Sequence, residues 1–109
     1  MMHKLRISRI QIAMRATGVS DEALHEIAHR LRITREALGF TQLEFAGRAG
    51  IAGNTYNQYE KGKKLPSIKN AVALCEAHSL TLDWIFRNDP GNLPYRLADA
   101  IKAIRAPRA

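Results

Sequence analysis

Apolar residues recur at helical spacing through most of the chain and alternate only near its start. Leu24, Ile27, Ala28, Leu31 and Leu38 predict a helix over 22–38, opened by Ser20-Asp21-Glu22 and stopped by Gly39. A capping residue followed by acids suits the positive first turn of a helix. Thr41-x-x-Glu44 has the form of a capping box, predicting a second, short helix that ends at Gly50. A third helix runs from Gly53 to Glu60 and is closed by Gly62. Pro66-Ser67 opens a fourth, which offers Ile68, Val72, Leu74 and Cys75 to a core, and a fifth spans 82–87. Asp89-Pro90-Gly91-Asn92 is a break, beyond which Leu97, Ile101 and Ile104 form one stripe on a helix over 94–104. The expected fold is all-α: a five-helix domain over 20–88, a basic arm over 1–19, and a C-terminal extension over 89–109.

The third of these helices is unlike the others, because little of it suits a core. Ile51, Tyr56 and Tyr59 can anchor its inner side, which leaves Gly53, Asn54, Asn57 and Gln58 facing outward. Ala46 allows close approach of the second and third helices, and Gly50 can adopt the left-handed turn conformation between them. A helix fits the DNA major groove, where amide side chains pair with base edges. The polar helix therefore reads as a base-reading element.

Charge strengthens that picture. The 109 residues carry 17 Lys and Arg against 10 Asp and Glu, a net charge of +7, which favours a polyanionic partner. Residues 1–19 hold Lys4, Arg6, Arg9 and Arg15 and no acid. They read as a solvated arm, with a short pairing strand or a DNA-touching arm as alternatives; the serine content is poor for a transit peptide. Cys75 is the single cysteine, so no disulfide framework is expected, and no apolar run is long enough for a membrane span. A soluble, cytoplasmic protein without cofactor is expected.

The stretch RLRITREALGFTQLEFAGRAGIAGNTYNQYEKGKKLP resembles the Cro/cI repressor (Xre-like) helix-turn-helix family, and SLTLDWIF is similar to that family's last helix. Gly39, Thr41-Gln42, Glu44, Ala46, Gly50, Tyr59-Glu60, Gly62 and Pro66 coincide in register, and the likeness runs from Ile27 to Phe86. It implies a lambda-repressor-like domain that binds specific duplex DNA as a homodimer in transcriptional control. Carried over by position, it implies base reading by Gly53, Asn54, Asn57 and Gln58, and phosphate contact by Gln42, Thr55, Lys61, Lys63 and Lys64, with a nearby base edge as the alternative for Gln42 and a thymine methyl for Thr55. It also implies a structural ion pair between Arg35 and Glu60. The dimer contact it implies falls on Leu82 and Trp84, with core as the alternative for Trp84. The extra stripe of Leu97, Ile101 and Ile104 is expected to join it, with folding back onto its own subunit as the alternative. This chain departs from the family pattern at Ala52, where Ser or Thr usually caps the third helix, at Gly53, and at Tyr56, which replaces an aliphatic residue.

Two other function classes compete. His25-Glu26-Ile27-Ala28-His29 is an HExxH string, in which histidines four apart on a helix could bind zinc with Glu26 as general base. The string lies inside the first helix, where Ile27 and Ala28 serve the core, and His78, His3 or a distant acid would have to supply a third ligand. No metal site and no enzyme activity are therefore expected. The second competitor is an antitoxin-type module that masks a toxin and regulates its own operon; a toxin or an anti-repressor is the protein partner it allows.

Overall fold

The computed structural model describes residues 19–106, so the basic arm lies outside the described residues except for Val19. Six helices and no strand are found among the described residues: α1 (Asp21–Leu38), α2 (Gln42–Arg48), α3 (Gly53–Glu60), α4 (Ile68–His78), α5 (Leu82–Arg87) and α6 (Tyr95–Arg105). Their ends follow from local chemistry. Ser20 Oγ accepts from Ala23 N at the start of α1, and Gly39, at φ +79°, turns the chain out of it. Both halves of the Thr41–Glu44 capping box are formed, with Thr41 Oγ1 accepting from Glu44 N and Glu44 Oε1 accepting from Thr41 N. Ser67 and Thr81 cap α4 and α5 with their hydroxyls alone, accepting from Asn70 N and Trp84 N.

The core gathers around α1, which packs on α3, α5 and α6, while α2 packs on α3 and α4, and α4 on α5. Trp84, Tyr56, Phe45, Leu31, Leu74 and Ile85 are its largest fully buried side chains. Polar groups within it are paired. Trp84 Nε1 donates to Thr34 Oγ1 (2.8 Å), Thr34 Oγ1 donates to the Arg30 carbonyl (2.6 Å), and Arg30 Nε and Nη2 both donate to the Ile85 carbonyl near the end of α5 (3.1 and 2.9 Å). Burial lowers the Arg30 pKa from its ordinary value, the nearby Glu26 opposing and Arg105 adding to the shift.

Two expectations are corrected by this packing. Ile68 stays exposed rather than entering the core, because the buried face of α4 is set by Ala71, Leu74 and His78, and Ile68 stands roughly a quarter turn away from its centre. The stripe on α6 does not wait for a partner: Leu97 and Ile101 are buried in this chain's own core together with Leu93 and Trp84. Trp84, Leu97 and Ile101 are therefore unavailable as dimer contacts, and Leu82 and Ile104 keep about two-fifths of their surface exposed (39% and 41%). Leu93, Leu97 and Ile101 of the C-terminal extension belong to the same core as the helices before it.

Candidate nucleic-acid interface

The pair α2–α3 is joined by a turn of four residues whose geometry is dictated by Gly50. At φ +71° it reverses the chain so that Ile51 N donates back to the Ala46 carbonyl (2.9 Å). Ala46 itself is fully buried at the crossing, where a larger side chain would force the two helices apart. Phe45 holds the inner side of α2, meeting Tyr56 edge-on (centroids 5.4 Å apart) and stacking on His78 (4.0 Å, planes 10° apart). His78 Nε2 lies 2.9 Å from the Phe45 carbonyl and donates to it, tying α4 to the short α2.

Beneath α3 lies a carboxylate surrounded by donors. Glu60 accepts from Arg35 Nε (2.7 Å) and Nη2 (3.1 Å), from Gln42 Nε2 (2.9 Å) and from the Tyr56 hydroxyl, and its side chain is only 3% exposed. Arg35 Nη1 also donates to the Phe40 carbonyl (2.9 Å), so one guanidinium joins α1, the α1–α2 loop and α3. Burial alone would raise the Glu60 pKa, but hydrogen bonds from Arg35, Tyr56 and Gln42 outweigh it and hold the carboxyl below its ordinary range. The bond to Glu60 raises Arg35 in turn, and burial together with Glu60 drives the Tyr56 phenol well above its ordinary value. The aromatic residue that departs from the family pattern at position 56 thus serves twice, as packing and as a donor.

The outward side of α3 carries no competing acid. Asn54 is exposed, and Gly53, Thr55, Asn57 and Gln58 are partly exposed along the same helix. Lys61, Lys63 and Lys64 follow in an exposed loop, closed by Lys63 N and Lys64 N donating to the Gln58 carbonyl. Tyr59, buried on the inner side, accepts from Asn70 Nδ2 on α4 (2.8 Å). Gln42, expected at a phosphate, is held at the start of α2 by a bond from its side chain to Glu60. One N–H of its amide is committed to Glu60, and the second N–H of the same nitrogen remains available as a donor.

Several participants were invisible from the sequence. The Tyr56–Glu60 bond was the most accessible, since the two residues stand four apart on one helix; the His78–Phe45 contact spans elements and left no local signal. His25 and His29 both lie exposed on α1. His25 Nδ1 donates to the Asp21 carbonyl, and His29 Nδ1 lies 3.4 Å from Arg32 Nη2. His78 is buried beneath α2, and among the described residues no group of three His, Cys, Asp or Glu is placed to hold a metal. Cys75 is partly buried, and burial pushes its thiol pKa up, away from the reactive thiolate.

Known proteins resemble the same region. A helix-turn-helix family model matches residues 31–85, half of the chain, and includes both helices of the interface. The cryptic phage CTXphi transcriptional repressor RstR of Vibrio cholerae is 34% identical over 58 residues, which cover 53% of this chain and 52% of that protein. The chain thus spans about half the length of the curated relative it matches. No solved structure matches it.

Proposed function

The chain belongs to the Cro/cI-type helix-turn-helix family, and on that premise we propose that it is a DNA-binding transcriptional regulator that sets α3 in the major groove. The single observation that carries this reading is the two-sidedness of α3. Its inner side is fixed by Tyr56, Tyr59 and the Glu60 carboxylate, while Asn54, Asn57 and Gln58 are left to meet base edges. Lys61, Lys63 and Lys64 neutralise flanking phosphates, with Thr55 beside them. Gln42 contributes a donor to a phosphate from the start of α2, through the side-chain N–H that Glu60 does not engage.

The similar phage protein is a repressor by name, and repression is the regulatory sense we assign here. The protein is a binding module and not an enzyme. One such unit reads only a few base pairs, so two copies on a two-fold axis bind a palindrome with half-sites about one helical turn, roughly 34–36 Å, apart. Leu82 and Ile104 are the members of the expected contact that stay exposed and can serve the partner copy.

Selection of duplex oligonucleotides by the purified chain tests the proposal. The expected product is a palindromic consensus. Asn54→Ala and Gln58→Ala should each relax it at particular positions, by about 1–3 kcal/mol per lost contact. A consensus unchanged in both variants would remove α3 from the role of reader.

A further inference from the structure

We infer that Leu43 is a specificity-determining residue, which takes the place of the side chain that Gly53 lacks and reads the 5-methyl group of a thymine. The inference rests on the proposed docking of α3 in the major groove. Leu43 is the second residue of α2, and its side chain is 73% exposed. Of the large exposed apolar side chains among the described residues, it is the one carried by α2 or α3. It does not point away from the reading helix: a Cβ placed on Gly53 would stand 3.3 Å from Leu43 Cδ1. The leucine therefore lies over the first turn of α3, beside exposed Asn54, in the space a side chain at position 53 would claim.

That position has chemical consequences. The leading residues of a recognition helix are those that approach base edges. The thymine 5-methyl is the one methyl group that a major-groove edge presents, so it is the strongest partner for a leucine delivered there. Against any other base it would cover donors or acceptors without replacing their hydrogen bonds with water. Gly53 and Leu43 act as a unit, in which the missing side chain admits its neighbour and the apolar tip supplies a preference no amide could.

The test begins from the duplex selected by the wild-type chain. Each thymine is replaced singly by deoxyuridine, which removes the methyl and keeps the base pair, and affinity is measured by fluorescence anisotropy. One thymine in each half-site should lose roughly four-fold in affinity, the amount expected for one buried methyl. Leu43→Ala should bind the thymine and uracil duplexes equally well, and Leu43→Met should retain the discrimination. Wild-type protein indifferent to every uracil, or Leu43→Ala still sensitive at the same thymine, would overturn this inference alone. Failure to select any duplex would instead strike the proposed function, and this inference with it.

Discussion

Glu60 and His78 show how single side chains hold the interface in register. With Glu60 changed to Gln, the Arg35 guanidinium, whose side chain is 14% exposed, loses its counter-charge, and a new amide N–H faces Gln42 and Tyr56. Removing one partner of such a pair should cost roughly 3–5 kcal/mol, a large part of the roughly 5–15 kcal/mol that holds a small domain together. Urea unfolding of Glu60→Gln should show that loss. Combining it with Arg35→Met should cost less than the two single changes added. His78 makes a prediction in pH. Burial lowers its pKa from the ordinary 6.5, with Arg48 adding to the shift and the bond to Phe45 opposing it. The unfolded chain then binds a proton that the fold refuses, so stability is full above pH 6.5 and falls as the pH drops through the folded value. The urea midpoint of the wild type should decline over that window, whereas His78→Gln should flatten the decline.

At the scale of the element, α3 is held mainly by its surroundings. Ala52 provides no side-chain cap, and Gly53 disfavours the first turn, so the helix relies on Tyr56, Tyr59 and Glu60 for its position. By contrast α1, α2, α4 and α5 all start on a hydroxyl that accepts from their own third residue. Ala52→Ser would give α3 the same device, its Oγ reaching the Thr55 N–H. The change should add about 1 kcal/mol to stability. Slower hydrogen exchange at the Thr55 amide, measured by NMR, would locate the gain in α3. An unchanged Thr55 amide would mean that the interhelical contacts already hold the first turn closed.

For the whole molecule, α6 is the element whose role differs most from its place in the chain. It lies last among the described helices, yet it covers α1, with Leu97 and Ile101 buried beside Trp84. Arg105 sits over the Trp84 ring at 5.2 Å and donates to Asn88 Oδ1 (3.1 Å). A chain shortened to end at Asn88 should thus lose stability as well as any dimer contact. Leu97→Ala is the milder version, expected to cost roughly 2–5 kcal/mol. Trp84 is the single tryptophan, so its emission reports directly on this end of the core. A red shift in the shortened chain at temperatures where the full chain is folded would verify the covering role of α6; identical emission and identical urea midpoints would refute it.

How far these features could be read beforehand depended on the distance, along the chain, between the groups that make them. Ser20 with Ala23, Thr41 with Glu44, and Ser67 with Asn70 are contacts of three residues, so the helix starts were legible from neighbouring letters. The same holds for Gly39 and Gly50, whose left-handed backbone follows from their own lack of a side chain. Which side of α3 faces inward was legible too, because Tyr56 and Tyr59 stand three apart on an otherwise polar helix and both are buried. The bond from Gln42 to Glu60 was not legible, since it joins an amide to a carboxylate eighteen residues away that needs donors when buried. The stripe of Leu97, Ile101 and Ile104 announced only that something must cover it. Whether that cover was a second copy or this chain's own α1 was decided by packing across the fold, of the kind that joins Trp84 to Thr34 and Arg30 to Ile85 over fifty residues or more. Periodicity and caps are short-range physics and are written locally; the partner of an apolar face is a long-range choice, made only when the helices meet.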